Sequence, residues 1–111
     1  FIRDKTLIGD DCIVGAHLEL ARSKIANEVK ISHQAFVGDA VIADEVVIGA
    51  GTIFCNWNGV SKQTSVIGRG TYIGSGTMIV SPVAIGDNVI IGAGSLVNKD
   101  IRDNQHFIQK R

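Results

Sequence analysis

Cysteine, proline and aromatic residues are scarce in this 111-residue chain, which has two Cys, one Pro, one Trp, one Tyr and four Phe. Two isolated cysteines, Cys12 and Cys55, make neither a disulfide framework nor a zinc site; they suit a reducing cytoplasm, and no metal is expected. Charge of one sign is missing too, with 11 Lys+Arg against 11 Asp+Glu. A general nucleic-acid or anionic-membrane binder carries a basic excess, so neither partner is expected. No apolar run approaches the roughly 20 residues of a membrane span, and no signal peptide is visible. Against these shortages stand 13 Gly and plentiful aliphatics, a composition suited to short extended segments joined by tight turns. The chain opens on Phe1 in mid-repeat, and is expected to be a fragment of a longer protein.

What is abundant is periodic. An aliphatic residue followed by a small one recurs with a step of six: Ile8-Gly9, Val14-Gly15, Leu20-Ala21, then Ile25, Ile31, Val37, then Ile42, Ile48, Phe54. After a gap the series resumes at Ile67, Ile73, Ile79 and runs through Ile85, Ile91 and Val97. The step shortens to five from Leu20 to Ile25 and from Val37 to Ile42, each time at the end of a group of three. An amphipathic helix repeats its apolar face every three to four residues and cannot carry this pattern. A step of six is even, so on extended chain every marked side chain points the same way. Three hexapeptides then close one triangular coil with the aliphatics inside, and five such coils stack into a parallel β-helix. A single coil cannot bury its inner face, so stability comes from its neighbours. The expected fold class is all-β, with the β-helix over residues 1–101.

Two stretches break phase. Phe54 to Ile67 spans thirteen residues, so Cys55 to Ser65 must leave the coil as a loop, carrying the only Trp, an Asn58-Gly59 turn signal and Lys62. Insertions in repeat proteins gather on one face, often the binding face. The prism would set His33 and this excursion along its edge. After Ile101 the phase is lost, and residues 102–111 are expected to form a C-terminal tail ending in Lys110 and Arg111.

The residues between these landmarks are more specific than the repeat. Ile31-Ser32-His33 is followed by Phe36-Val37-Gly38-Asp39-Ala40, then by Ile48-Gly49-Ala50-Gly51-Thr52, Cys55-Asn56-Trp57-Asn58-Gly59 and Lys62. Ile73-Gly74-Ser75, Val80-Ser81-Pro82-Val83 and Ile91-Gly92-Ala93-Gly94-Ser95 complete the series. This run resembles the C-terminal acetyltransferase domain of the bacterial bifunctional enzyme that acetylates glucosamine-1-phosphate and then uridylylates it, within the hexapeptide-repeat acyltransferases. The resemblance implies a left-handed β-helix, a homotrimer with sites between subunits, acetyl-CoA as donor, and a place in UDP-N-acetylglucosamine and cell-wall synthesis. It also implies a nucleotidyltransferase domain before Phe1.

The resemblance gives His33 the place of the general base. The chemistry suits it, since an amine must lose a proton as it attacks a thioester, and imidazole, with an ordinary pKa of about 6.5, accepts one at neutral pH. No covalent nucleophile is required. Asn56 matches the amide that would hold the oxyanion, beside backbone N–H groups. Ala50, Ser75 and Ala93 fall where small residues line the pantetheine groove. Trp57 replaces a tyrosine of the loop motif and can still stack or pack, and Lys110 or Arg111 corresponds to a terminal arginine on the CoA phosphates. Arg3 and Lys62 match positions that meet the sugar phosphate.

Three acceptor positions depart from the pattern. A phosphate-site lysine falls at Ala21, a tyrosine at Phe36 and a sugar-binding asparagine at Val47. Arg22 lies beside Ala21, but neighbours on a strand face opposite sides, which makes it a poor substitute. Two functions therefore compete. One is an acetyl-CoA-dependent N-acetyltransferase acting on an amino-sugar phosphate. The other is a non-catalytic or diverged trimerising β-helix attached to a sugar-1-phosphate nucleotidyltransferase. A β-helical carbonic anhydrase would need three converging zinc-binding histidines, and His17, His33 and His106 stand in unlike contexts.

Overall fold

The structure is a computed structural model that describes residues 1–3 and 5–108. Its strands come three to a coil. The first coil holds β1 (Leu7–Ile8), β2 (Ile13–Val14) and β3 (Glu19–Ala21); the second holds β4 (Lys24–Ile25), β5 (Lys30–Ile31) and β6 (Phe36–Gly38). The third holds β7 (Ala40–Ile42), β8 (Val47–Ile48) and β9 (Ile53–Cys55); the fourth holds β10 (Ser65–Ile67), β11 (Tyr72–Ile73) and β12 (Met78–Val80). The fifth holds β13 (Ala84–Ile85), β14 (Ile90–Ile91) and β15 (Leu96–Val97), and β16 (His106–Phe107) belongs to a sixth.

Each strand pairs in parallel with the one a coil away, giving three sheets in the orders β1-β4-β7-β10-β13, β2-β5-β8-β11-β14-β16 and β3-β6-β9-β12-β15. We call them the first, second and third faces. Register follows the repeat: Ile42 pairs with Ile67, Ile48 with Ile73, and Val66 with Ala84. The result is a left-handed parallel β-helix.

The predicted aliphatics form the interior. Leu20, Ile31, Ile42, Ile48, Phe54, Ile67, Ile73, Ile79 and Ile91 are fully buried, each contributing roughly 1.5–3 kcal/mol by leaving water. Two residues ahead of each marked aliphatic lies a second inward position, filled by Val29, Val46, Thr52, Thr71, Thr77, Val89 and Ser95 among others. The intervening residue points out, as strand alternation requires. Terminal coils are covered on one side only: Ile8 of the first coil is 36% exposed, while Ile25 above it is 3% exposed.

The described part of the expected tail continues the prism. Val97 to Ile101 is a step of four. Ile101 nevertheless bridges to Ile85, and six residues later Phe107 pairs with Ile91. Coil corners turn through residues in the left-handed region, among them Arg22 (φ 46°), Glu28 (φ 58°), Asp39 (φ 52°) and Asn88 (φ 54°). The first corner joins the first and second faces, the second joins the second and third, and the third leads back to the first.

Candidate active site

Repeat offset and corner together decide where each expected site residue stands. His33 follows β5 by two residues, at the second corner. Ala50, Ser75 and Ala93 hold the same offset after β8, β11 and β14, so the four stack in one column with Ala16 beneath. Hydrogen bonds from coil to coil define the column: Gln34 N–H donates to the Ala16 carbonyl (3.1 Å), Gly51 to His33 (3.2 Å), Gly76 to Ala50 (2.8 Å) and Gly94 to Ser75 (2.8 Å). His33, Ser75 and Ala93 are exposed.

The corner is braced from inside. Thr77 Oγ1 donates to the Gly74 carbonyl at 2.7 Å and Ser95 Oγ to the Gly92 carbonyl at 2.6 Å. Above His33 its outer surface carries only the small side chains of Ala50, Ser75 and Ala93 in the column, while His17 and Gln34 are exposed lower on the same corner. The backbone N–H groups of Ala50, Ser75 and Ala93 meet no protein acceptor among the described residues.

Asn56 and Lys62 stand elsewhere. The loop leaves β9 at the third corner, the opposite end of the third face from His33, so one chain does not bring the two groups to one edge. The sequence expectation of a shared edge is corrected by counting corners: His33 closes the second hexapeptide of its coil, whereas Asn56 closes the third. The loop is a small hairpin. Trp57 bridges antiparallel to Lys62, Asn58 Oδ1 accepts from the N–H groups of Val60 and Ser61 (2.9 Å each), Gly59 turns at φ 93°, and Gln63 N–H donates to the Asn56 carbonyl at 2.6 Å. Arg3 lies at the same end of the third face, its N–H on the Leu20 carbonyl and its guanidinium 3.0 Å from Glu19. Lys110 and Arg111 lie outside the described residues.

Two residues that sequence reasoning left without a role complete the third corner. Arg22, Asp39 and Asn56 are spaced by 17, one shortened coil, and stack along it. Arg22 Nε donates to Asp39 Oδ1 at 2.9 Å and Nη2 to Oδ2 at 3.0 Å, while Asn56 Nδ2 donates to Oδ2 at 2.6 Å. The Arg22 guanidinium holds the Asp39 carboxyl below the usual carboxylate range, against the opposing effect of burial and with help from the Asn56 amide and the nearby Lys62 charge. A depressed carboxyl contributes stability above its unfolded pKa of about 3.9 and loses it as pH falls through the folded value. Strand alternation does not govern Arg22, which sits past the strand in a left-handed turn. The available signal was the spacing: opposite charges one coil apart at the same offset.

The three departures do not gather in one place. Ala21 is fully buried, and Val47 lies on the second face between Lys30 and Tyr72. Phe36 leans over Gly38, where a Cβ would meet the Phe36 ring at 2.6 Å and Asn56 Nδ2 at 2.5 Å. Gly38 is thus the bare spot that lets the aromatic ring and the amide approach.

The hexapeptide coils and the bare column can be set beside known proteins. A family model described as bacterial transferase hexapeptide (six repeats) matches residues 64–99. The chain is similar along almost its whole length to part of the bifunctional protein GlmU. Identity is 42% with GlmU of Thermosynechococcus vestitus, over 98% of this chain and 24% of that protein, and 40% with GlmU of Aquifex aeolicus, over 90% and 22%. The chain therefore spans about a quarter of the length of these relatives. Among solved structures, the acetyltransferase domain of PglB from Neisseria gonorrhoeae in complex with acetyl coenzyme A superposes with a TM-score of 0.82 at 24% identity, covering 92% of this chain and 47% of that one. A hexapeptide-repeat acetyltransferase from Vibrio cholerae gives 0.80 at 21% identity, over 88% and 65%. These two likenesses describe the fold.

Proposed function

We propose that this chain carries out acetyl-CoA-dependent N-acetylation of an amino-sugar phosphate in UDP-N-acetylglucosamine biosynthesis, in the cytoplasm, as a homotrimer with its sites between subunits. The observation that carries the reading is the second corner. Three backbone donors at Ala50, Ser75 and Ala93 rise one coil apart along a surface of small side chains, above His33. Coils stack about 4.8 Å apart. A long, thin ligand bearing amide carbonyls, such as the pantetheine arm of acetyl-CoA, can lie along such an edge and accept from it, with its thioester toward His33.

The acceptor-side residues Arg3, Asn56 and Lys62 stand at the far end of the third face, so each chain supplies two half-sites. A closed ring in which one chain's second corner meets its neighbour's third corner completes every site. Three such contacts close a trimer.

In the chemical step His33 takes a proton from the amine as its nitrogen attacks the thioester carbonyl. The C–N bond forms, the tetrahedral oxyanion collapses, the C–S bond breaks, and the imidazolium proton passes to the departing CoA thiolate. Arg3 and Lys62 remain to meet a phosphate on the acceptor. Phe36 brings no hydroxyl to that side beside Asn56, Ala21 is buried and Val47 lies on the second face, so none of the three adds a polar contact there, which favours a weaker hold on the phosphate than the family pattern gives. The same three residues are what a diverged, non-catalytic trimerising domain would carry.

A thiol-release assay with acetyl-CoA and either glucosamine-1-phosphate or free glucosamine tests the reading. Wild type is expected to turn over one of these amines as a trimer by sedimentation, and His33→Ala to lower kcat by about 10²–10⁴-fold. Binding of acetyl-CoA without turnover of either amine would sink the amino-sugar acceptor. A trimer that fails to bind acetyl-CoA would make the chain an assembly domain.

A further inference from the structure

We propose that Asp39 is a positioning residue of the acyl-transfer site, fixing the orientation of the Asn56 amide, and that Arg22 holds Asp39 in place for this task. The inference rests on the acyltransferase reading above and adds two residues to it.

The geometry is specific. A carboxylate only accepts hydrogen bonds, so the group that Asn56 turns toward Asp39 must be its NH₂, and the amide oxygen is held on the other side. The bond is short, at 2.6 Å, as expected when the acceptor is charged. Asn56 is 9% exposed, and an amide so enclosed has few other rotamers. Asp39 is fixed in turn by a two-pronged contact with Arg22 at 2.9 and 3.0 Å. That arrangement lets a planar guanidinium set the plane of the carboxylate. Asp39 sits in the left-handed region at the shortened corner, where the chain directs its side chain up the stack to Asn56.

The arrangement changes what Asn56 offers. With one N–H committed to Asp39, its oxygen meets an incoming amine as an acceptor. An acceptor on the amine's N–H turns the nitrogen lone pair toward the thioester. Asn56 thereby orients the nucleophile, where the family resemblance implied that it holds the oxyanion. Asp39 and Arg22 reach the reacting atoms only through Asn56.

The test is a double-mutant cycle on the trimer, using acetyl-CoA and whichever amine the wild type turns over. Asp39→Asn keeps shape and volume but turns an amide toward Arg22; Arg22→Ala removes the brace from the other side. Each is expected to lower kcat by roughly tenfold to 10²-fold, the scale of a misplaced reacting group, and to leave KM for acetyl-CoA unchanged. In the Asn56→Ala background the Asp39→Asn change is expected to cost nothing further, because residues acting through one group are not additive. An equal fold-loss from Asp39→Asn in both backgrounds would overturn the proposal. So would a lowered unfolding temperature with kcat intact, since it would leave the stack a purely structural feature. Turnover in the wild type that Asn56→Ala leaves unchanged removes Asn56 from the site and ends the proposal while acyl transfer stands. A wild type that turns over no amine overturns the acyl-transfer reading, and the positioning role falls with it.

Discussion

At the first corner the backbone N–H two residues past the buried aliphatic is taken, in four of the coils, by a side chain of the next coil. Asp10 N–H donates to Asn27 Oδ1 (2.8 Å), Asn27 to Asp44 (2.8 Å), Arg69 to Asp87 (2.9 Å) and Asp87 to Asp103 (2.8 Å). At the second corner the equivalent N–H groups of Ala50, Ser75 and Ala93 meet no protein acceptor among the described residues. Both corners share the coil-to-coil backbone ladder, with Glu28 N–H on Asp10 and Asn104 N–H on Asp87 matching Gly76 on Ala50 and Gly94 on Ser75. The difference is where polar side chains are placed. Beneath the first corner Val29, Val46, Thr71 and Val89 fill the inward position, and Asn27 and the aspartates brace the turn from outside. Beneath the second, Ala35, Thr52, Thr77 and Ser95 occupy that position, and the outside carries no side chain that accepts from Ala50, Ser75 or Ala93 among the described residues. One edge satisfies four of these donors from within the chain; the other leaves its donors without a protein acceptor among the described residues.

Covering the open edge should have the largest effect. Ser75→Trp lays an indole across the column beside the Ala50 and Ala93 donors. It is expected to weaken acetyl-CoA binding by about 10- to 100-fold, the scale of a steric clash worth some 1–3 kcal/mol, as measured by titration calorimetry. Its side chain starts from an exposed site, so stability should stay within about 0.5 kcal/mol. Unchanged binding would mean that the donor lies elsewhere.

Breaking the closed edge should give the opposite profile. A Cβ on Gly68 would run into the Gly86 carbonyl and Asp87 Oδ1, and backbone yields little. Gly68→Ala is expected to cost about 1–3 kcal/mol, read as a shifted urea midpoint at constant m-value, with acetyl-CoA affinity intact. Loss of affinity along with stability would show the two edges to be coupled, not separately employed.

These contrasts also show what could be read from the sequence. The coils were legible because the core needs an aliphatic every sixth residue, and the loop because Phe54 and Ile67 are too far apart for one hexapeptide. The column of His33, Ala50, Ser75 and Ala93 was legible as a shared offset. The continuation to Phe107 was not, because a four-residue step and one aromatic residue disguise the phase. The separation of His33 from Asn56 needs the corner as well as the offset, which means counting hexapeptides in threes. Arg22 and Asp39 were missed because an alternation rule valid on strands was carried into a turn, where a left-handed residue breaks it.

The smallest expected effect lies where the first corner's ladder is interrupted. Arg69 stacks between Asp44 and Asp87, and a guanidinium cannot accept, so the Asp44 N–H lacks the side-chain oxygen that its equivalents receive. Arg69 instead pairs with Glu45 at 3.0 Å, with side chains 66% and 48% exposed. A pair so exposed is worth roughly 0–1 kcal/mol and is screened by salt, whereas a restored hydrogen bond adds about 0.5–1.5 kcal/mol. In low salt Arg69→Asn should therefore change stability little, the two effects offsetting. In 1 M salt, where the Debye length is about 3 Å, the variant should exceed wild type by roughly 0.5–1 kcal/mol in denaturant titrations. Arg69→Ala, which loses the pair and gains no acceptor, should show no such gain. If the asparagine variant is no more stable than the alanine one in high salt, the side-chain ladder is not what holds the first corner, and its contrast with the second loses its physical basis.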